Sequence, residues 1–176
     1  MNYFRNFTIS ILIILSTALS GCASRYQWYQ ESVYGIKIKY PKDWTVHEKA
    51  EGLAVVAFKS PRKDRMDVFQ ENLNITVQDL GGRPMPLMQF SEMAINQLRV
   101  MYQNIEVLDS SPAVLAGKVG HKIEYVVKAE FDIKILQVWM IQGYKAYIIT
   151  FTADADHYKD YAGTAWDMIN SFQINQ

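Results

Sequence analysis

Two apolar segments near the end of the chain carry large side chains at odd and even positions alike. Ile133–Ile141 and Ala146–Thr152 each have the length of a strand and are rich in β-branched and aromatic residues. Residues 142–145 lie between them, and Gly143 suits the first central position of a type II′ turn. Because neighbouring side chains of a strand point to opposite faces of a sheet, this pattern predicts a hairpin that other elements cover on both faces.

Six further segments have the alternation of apolar and polar residues, or the composition, that predicts a strand. They are Ile36–Tyr40, which Pro41 ends, the pair Trp44–Val46 and Leu53–Phe58, then Asn72–Gln78, Glu106–Leu108 and His121–Ala129. Most of the connections are of hairpin length, and this favours antiparallel pairing over repeated crossovers.

Two segments have the spacing of amphipathic helices. The first extends from about Pro86 to Tyr102, because proline is well tolerated in the first turn of a helix. The second extends from about Asp156 to Asn170. The apolar side of the first helix contains Leu87, Phe90, Met93, Ala94, Leu98 and Met101, and we expect its methionines to fill gaps in packing. With a sheet covered on both faces, these helices predict one α+β domain, a three-layer α/β/α sandwich with a central, mainly antiparallel sheet.

The start of the chain has the features of an export signal. Phe7–Leu19 carries no charged side chain and is too short to span a membrane as a helix. The segment Leu19-Ser20-Gly21-Cys22 resembles the bacterial lipobox, which implies a diacylglyceryl group on the Cys22 sulfur, cleavage before Cys22 and N-acylation. The alternative is an uncleaved or ordinarily cleaved signal, with an accidental cysteine. Cys22 is the only cysteine, so no disulfide can form.

These features predict three regions: a lipoprotein signal peptide over residues 1–21, a lipid-anchored tether over 22–33 and a globular domain over 34–176. Within the tether, Tyr26, Trp28 and Tyr29 either sit at lipid headgroups or pack on the domain's own surface. Ala23 follows the cysteine, a pattern that resembles outer-membrane lipoproteins. We therefore expect the protein in the cell envelope, on the periplasmic face of the outer membrane in a Gram-negative host.

The charge balance and the motifs exclude several kinds of function. The chain has 18 basic and 18 acidic side chains, which disfavours a nucleic-acid partner. It contains no nucleophile elbow, phosphate-binding glycine loop, dinucleotide fingerprint or metalloprotease motif. His47, His121 and His157 have no ligand spacing. We therefore expect no catalytic residue and no cofactor.

One short cluster offers metal-ligand chemistry. Asp154-Ala155-Asp156-His157 places two carboxylates and an imidazole at the predicted start of the last helix, where they could bind a divalent cation weakly. The alternative is a structural role, because aspartate at this place caps a helix and interacts with its positive end.

Three segments resemble a known family. Tyr34–Trp44 is similar to the opening of the PsbP-like domain, an aromatic residue and a hydrophobic strand ending in Tyr-Pro-x-x-Trp. Tyr147–Ala153 and Met168–Phe172 resemble its last strand and last helix, so the resemblance covers about Tyr34–Ile174. Members include DcrB-type envelope lipoproteins and photosystem II extrinsic subunits, and Ran-binding import factors share the fold. The resemblance implies an antiparallel sheet of six or seven strands between helices, used for docking or assembly.

Two functions follow as expectations. The first is a membrane-anchored, non-catalytic module that binds a protein of the envelope or supports assembly of a complex. The alternative is a carrier of a small ligand or lipid, or a cryptic hydrolase, on the same sandwich. A deep apolar pocket with convergent polar groups would favour the alternative, whereas an exposed apolar patch over a solid core would favour docking.

Overall fold

A computed structural model of the protein describes residues 24–49, 54–63 and 69–175. The signal peptide, Cys22 and Gly52 lie outside these ranges. The strands are β1 (Tyr26–Glu31), β2 (Ile36–Pro41), β3 (Thr45–Glu48), β4 (Ala54–Lys59), β5 (Asn72–Asp79), β6 (Ile105–Leu115), β7 (Lys118–Val127), β8 (Ile133–Gln142), β9 (Lys145–Asp154) and β10 (Gln173–Ile174). The helices are α1 (Leu87–Met101) and α2 (Tyr158–Asn170).

Seven strands form one antiparallel sheet in the order β3-β4-β5-β9-β8-β7-β6. The predicted hairpin of β8 and β9 lies at its centre, with Ile141 opposite Ala146. Gly143 in the connecting turn has a φ of 60°, as the first central position of a type II′ turn requires. A central position explains why both strands are apolar on both faces.

The sheet is covered on both faces, and the predicted three-layer α+β sandwich is confirmed. On the face that we call the α2 face, Leu136, Val138 and Ile149 pack against α2 and a small antiparallel sheet of order β1-β2-β10. On the opposite face, the α1 face, Ile135 and Trp139 pack against α1. Residues that alternate along β8 therefore belong to two separate cores.

The N-terminal boundary of the domain differs from the sequence prediction. Residues 22–33 are not wholly a tether, because Tyr26–Glu31 form β1 and pair along their whole length with β2. Tyr29 is buried, and its ring lies 5.5 Å from that of Phe58 on the large sheet. Pairing and burial of this aromatic side chain hold the segment in the fold.

Strand β6 is longer than the predicted Glu106–Leu108. Its serines and Pro112 weaken the strand pattern, yet it pairs with β7 through a turn in which Ala116 and Gly117 both have positive φ. The strand lies at the edge of the sheet, where a proline is tolerated. Its register shifts between Val107 and Asp109.

Helix α1 begins directly after Pro86, as predicted, and α2 begins at Tyr158, two residues after the predicted start. Within the described ranges, neither helix has the length and hydrophobicity needed to cross a bilayer.

Candidate functional site

The two faces of the large sheet differ in residue type, most clearly on β5, which alternates polar and apolar residues strictly. Toward the α2 face β5 directs Leu73 and Ile75, which are fully buried. Toward the α1 face the same strand directs Asn74 and Thr76. Further polar side chains on this face are Gln78, also on β5, Gln137 on β8, and Thr150 and Thr152 on β9.

Helix α1 covers only part of this face. Phe90 and Leu98 are its buried apolar anchors, and they belong to a cluster with Tyr125 and Trp139 of strands β7 and β8. A buried hydrogen bond fixes the same contact, because Trp139 Nε1 donates to Ser91 Oγ at 2.9 Å. The helix is therefore held over β7 and β8, and the polar rows on β5 and β9 are not sealed.

A cleft of about 800 Å³ lies between α1 and the sheet. Its apolar lining comes from the helix and from β7, β8 and β9: Phe90, Met93, Ala94, Leu98, Met101, Tyr125, Val127, Ile133, Ile135, Trp139 and Ile148. The remaining lining residues are Gln97 and Tyr102, together with the six amide and hydroxyl side chains on the strands. The cleft is therefore lined by apolar side chains and by uncharged side chains that can form hydrogen bonds.

The cleft is poor in groups that can transfer protons. Among the described residues that line it, none is Asp, Glu, Lys, Arg, His or Cys. Its ionisable side chains are Tyr102 and Tyr125, and burial raises the pKa of the Tyr125 hydroxyl well above its usual value. Gln137 Nε2 donates to Thr150 Oγ1 at 3.1 Å. Such a lining binds by apolar contact and neutral hydrogen bonds, and supplies no general base at neutral pH.

The methionines of α1 are more exposed than the sequence predicts. Met93, expected to fill a gap in the core, keeps 42% of its surface exposed, and Met101 keeps 59%. Met88 and Val100 are exposed on the same helix. The helical spacing placed Met93 and Met101 on the apolar side but could not reveal that a cleft with a partly polar lining lies beside them. We call α1 and the cleft beneath it the α1 surface.

One serine lies beside a histidine. Ser110 Oγ on β6 is 2.9 Å from His121 Nε2 on β7, and the imidazole stacks on Trp139 with 5.2 Å between ring centroids. Desolvation lowers the pKa of His121, partly opposed by the Asp109 carboxylate. Neither Ser110 nor His121 lines the cleft, and Ser110 is exposed at the sheet edge. The pair therefore lies apart from the cleft.

The candidate metal ligands lie in the turn before α2. Asp154 Oδ1 accepts a hydrogen bond from the Asp156 amide at 2.8 Å, and lies 3.8 Å from His157 Nδ1. Within the described ranges, no group of three or more His, Cys, Asp or Glu side chains is placed to hold a metal ion. His157 occupies the N-cap of α2 without a capping side-chain hydrogen bond, so Asp154 shapes the preceding turn and does not cap the helix.

Comparisons with known proteins agree with this architecture. A search of curated sequences finds no significant match. The solution structure of cyanobacterial PsbP (CyanoP) from Synechocystis sp. PCC 6803 is similar, with a TM-score of 0.63, 15% identity, and coverage of 92% of this chain and 99% of that chain.

Two further structures have the same fold. LpqN of Mycobacterium tuberculosis, described as involved in cell envelope biogenesis, has a TM-score of 0.64 at 14% identity, and covers 86% of this chain and 91% of its own. The Ran-binding protein Mog1p of Saccharomyces cerevisiae has a TM-score of 0.59 at 9% identity, with coverage of 85% and 95%. At these identities the likeness concerns the fold.

The sequence itself carries the family assignment. The family model for PsbP matches residues 24–174, which includes β1 as well as the segments whose motifs resemble the family. The chain therefore belongs to the PsbP family.

Proposed function

We propose that the protein is an envelope lipoprotein, anchored through Cys22, whose PsbP domain is a non-catalytic module that binds a protein partner. The observation that carries this proposal is the α1 surface, where exposed methionines adjoin a cleft without acid, base or thiol among its described lining residues. The α2 face is in contrast a closed core.

The physical properties of the α1 surface suit a protein partner. Methionine side chains are flexible and polarisable, so a methionine-rich surface can repack around an apolar segment. The amide and hydroxyl side chains below can bond the polar groups of that segment. Exposed apolar side chains grouped on one helix cost solubility, and an interaction site is a common reason for such a group.

The likeness to other proteins supports the same class of function. LpqN is involved in cell envelope biogenesis, and Mog1p is a Ran-binding protein. For this chain, the lipobox at Leu19–Cys22 supports a lipid anchor, and Ala23 supports the periplasmic face of the outer membrane in a Gram-negative host.

A crosslinking experiment tests the proposal. A photo-reactive amino acid replaces Gln97, which lines the cleft, or Asn170, an exposed control on α2. We expect one discrete protein adduct from position 97 and none from position 170 in intact cells. The adduct should disappear when Met93→Lys and Met101→Lys are added, and the identified protein should bind the purified lipoprotein. Equal, diffuse labelling from both positions would contradict the proposal.

The size of the cleft favours a second candidate, a carrier of an uncharged small ligand. A volume of about 800 Å³ lies within the range of small-molecule sites. Native mass spectrometry of protein purified from its host tests this candidate. A bound small molecule that Met93→Lys releases would favour the carrier, whereas bare protein together with a specific Gln97 adduct would favour the binding module.

A further inference from the structure

The outer face of the small sheet carries an exposed tryptophan between two lysines. Tyr29, Ile36 and Ile38 point inward and are buried, so their neighbours along β1 and β2 point outward. Trp28 keeps 42% of its surface exposed and lies opposite Lys39. The outward residues Trp28, Gln30, Lys37 and Lys39 define the outer patch.

The charge of this patch is positive and unneutralised. Lys37 Nζ lies 4.3 Å and Lys39 Nζ 5.0 Å from the centre of the Trp28 ring. Among the residues that the structure describes, no carboxylate forms an ion pair with either lysine. The Asp167 carboxylate accepts a hydrogen bond from the Tyr26 hydroxyl. Arg25 and Lys42 add exposed positive charge at the start of β1 and the end of β2.

The patch lies close to the proposed anchor along the chain. Trp28 lies six positions after Cys22, and even a fully extended chain of that length reaches only about 20 Å. The strand pairing of Tyr26–Glu31 shortens the free connection further, because the fold begins four residues after the cysteine. A lipid on Cys22 would therefore hold the outer patch near the headgroups.

We propose that the outer patch lies against the anionic surface of the membrane that holds the anchor, so that the small sheet is the membrane-facing side of the domain. This inference rests on the proposed lipid anchor. Lysines near an anionic leaflet are attracted to it, and tryptophan is favoured at the depth of the headgroups. The three aromatic residues of β1 have different surroundings. Trp28 is exposed and can reach the interface, whereas Tyr29 packs in the core and the Tyr26 hydroxyl donates a hydrogen bond to Asp167.

The layer order gives this orientation a consequence for the α1 surface. The small sheet packs on the α2 face of the large sheet, and α1 packs on the opposite face. With the outer patch on the membrane, two packed layers separate the lipid from the cleft, the first of them about 10 Å thick. The α1 surface then faces the aqueous compartment, where a water-soluble domain of a partner can reach it.

Site-specific fluorescence quenching tests the orientation. Cys22 carries lipid in the mature protein, so Gln30→Cys or Gln89→Cys introduces a single free thiol for a fluorophore. Both glutamines are exposed, the first in the outer patch and the second on α1. The lipidated protein is reconstituted into vesicles of phosphatidylethanolamine, phosphatidylglycerol and a brominated lipid, which quenches only nearby fluorophores.

We expect strong quenching at position 30 and little at position 89. Charge reversal by Lys37→Glu with Lys39→Glu should lower the ratio of docked to undocked domains by more than the roughly 30-fold loss that removal of two lysines from an anionic surface predicts. Lys37→Gln with Lys39→Gln removes the two charges without reversing them and should have a smaller effect in the same direction. Vesicles of phosphatidylcholine with the same brominated lipid and no anionic lipid should reproduce the loss, and circular dichroism checks that each variant is folded.

The outcomes separate the inference from its premise. If the protein floats with the vesicles but positions 30 and 89 are quenched equally, the orientation is wrong and the anchor stands. Stronger quenching at position 89, or quenching at 30 that ignores both lysine substitutions, also overturns the orientation. A mass measurement that finds an unmodified Cys22 thiol in the native protein removes the anchor, and the inference falls with it.

Discussion

The α2 face and the α1 face of the large sheet are formed by the same strands, but they differ in how completely they are covered and in how polar their side chains are. The α2 face meets two covering elements, α2 and the small sheet, and its apolar side chains are almost completely buried. The α1 face meets one helix, which leaves polar side chains and a cleft on β5 and β9. Under the proposed function, the closed α2 face chiefly supplies stability and the partly covered α1 face supplies the binding surface.

The first test of this comparison is a truncation on the α2 face. Phe58 is fully buried, and its ring lies 5.5 Å from Tyr29 and 4.9 Å from Tyr40. We expect Phe58→Ala to lower the free energy of unfolding by about 3–5 kcal/mol, because it leaves a cavity between the two sheets. Urea unfolding measures the change. A loss comparable to that of an exposed substitution would show that the two sheets are not tightly packed.

The second test concerns the attachment of α1. Ser91→Ala leaves Trp139 Nε1 without its acceptor in a buried position, which should cost about 1–3 kcal/mol. Trp139→Phe removes the donor, and the double variant should be less destabilised than the sum of the two single variants. Urea unfolding of all four proteins gives the coupling energy. Additive losses would mean that this hydrogen bond does not hold the helix.

The third test separates binding from stability. Met93→Ala and Met101→Ala remove exposed side chains, so each should change the free energy of unfolding by no more than about 0.5 kcal/mol. The same substitutions should weaken the partner adduct at Gln97. Thermal unfolding and crosslinking yield are measured on the same preparations. Large destabilisation with unchanged crosslinking would reverse the roles assigned to the two faces.

The smallest expected effect is a pH dependence on the α1 face. Desolvation lowers the pKa of His121 below 6.5, so the unfolded chain binds this proton more tightly than the folded chain. Stability should therefore fall as the pH drops through 6.5 toward the lowered value, and be fully present above 6.5. In His121→Gln this slope should disappear. Urea midpoints on both sides of 6.5 test it, and parallel slopes in the two proteins would contradict the assignment.

Much of the fold could be predicted because the sequence pattern reports burial. The two-sided apolar pattern of β8 and β9 located the centre of the sheet, and the spacing of α1 located its apolar side. Strand β1 was missed because it has only one buried large residue, Tyr29, and depends on pairing with β2. Most of β6 was missed because its serines and Pro112 have low strand propensity, and pairing with β7 overrides it.

The cleft could be predicted only in part. Asn74 and Thr76 are visible in the sequence as the polar positions of an alternating strand, whereas Thr150 and Thr152 lie in a segment whose pattern predicts cover on both faces. Their assembly into one wall depends on β5 lying beside β9, a pairing between strands separated by more than sixty residues. Local patterns carry no information on such neighbours, so the sequence indicated polar positions and not a shared site.

The edge strand β6 affects how neighbouring copies of the protein would interact if the proposed anchor holds many of them on one membrane. Lipid-anchored molecules diffuse in two dimensions and collide often, so an open edge strand can form β-sheet hydrogen bonds with the edge strand of a neighbouring molecule. Pro112 removes one amide donor from β6, and the register shift near Asp109 bends the ladder. Under the proposed lipid anchor, this irregular edge strand would disfavour edge-to-edge association of neighbouring copies on the membrane.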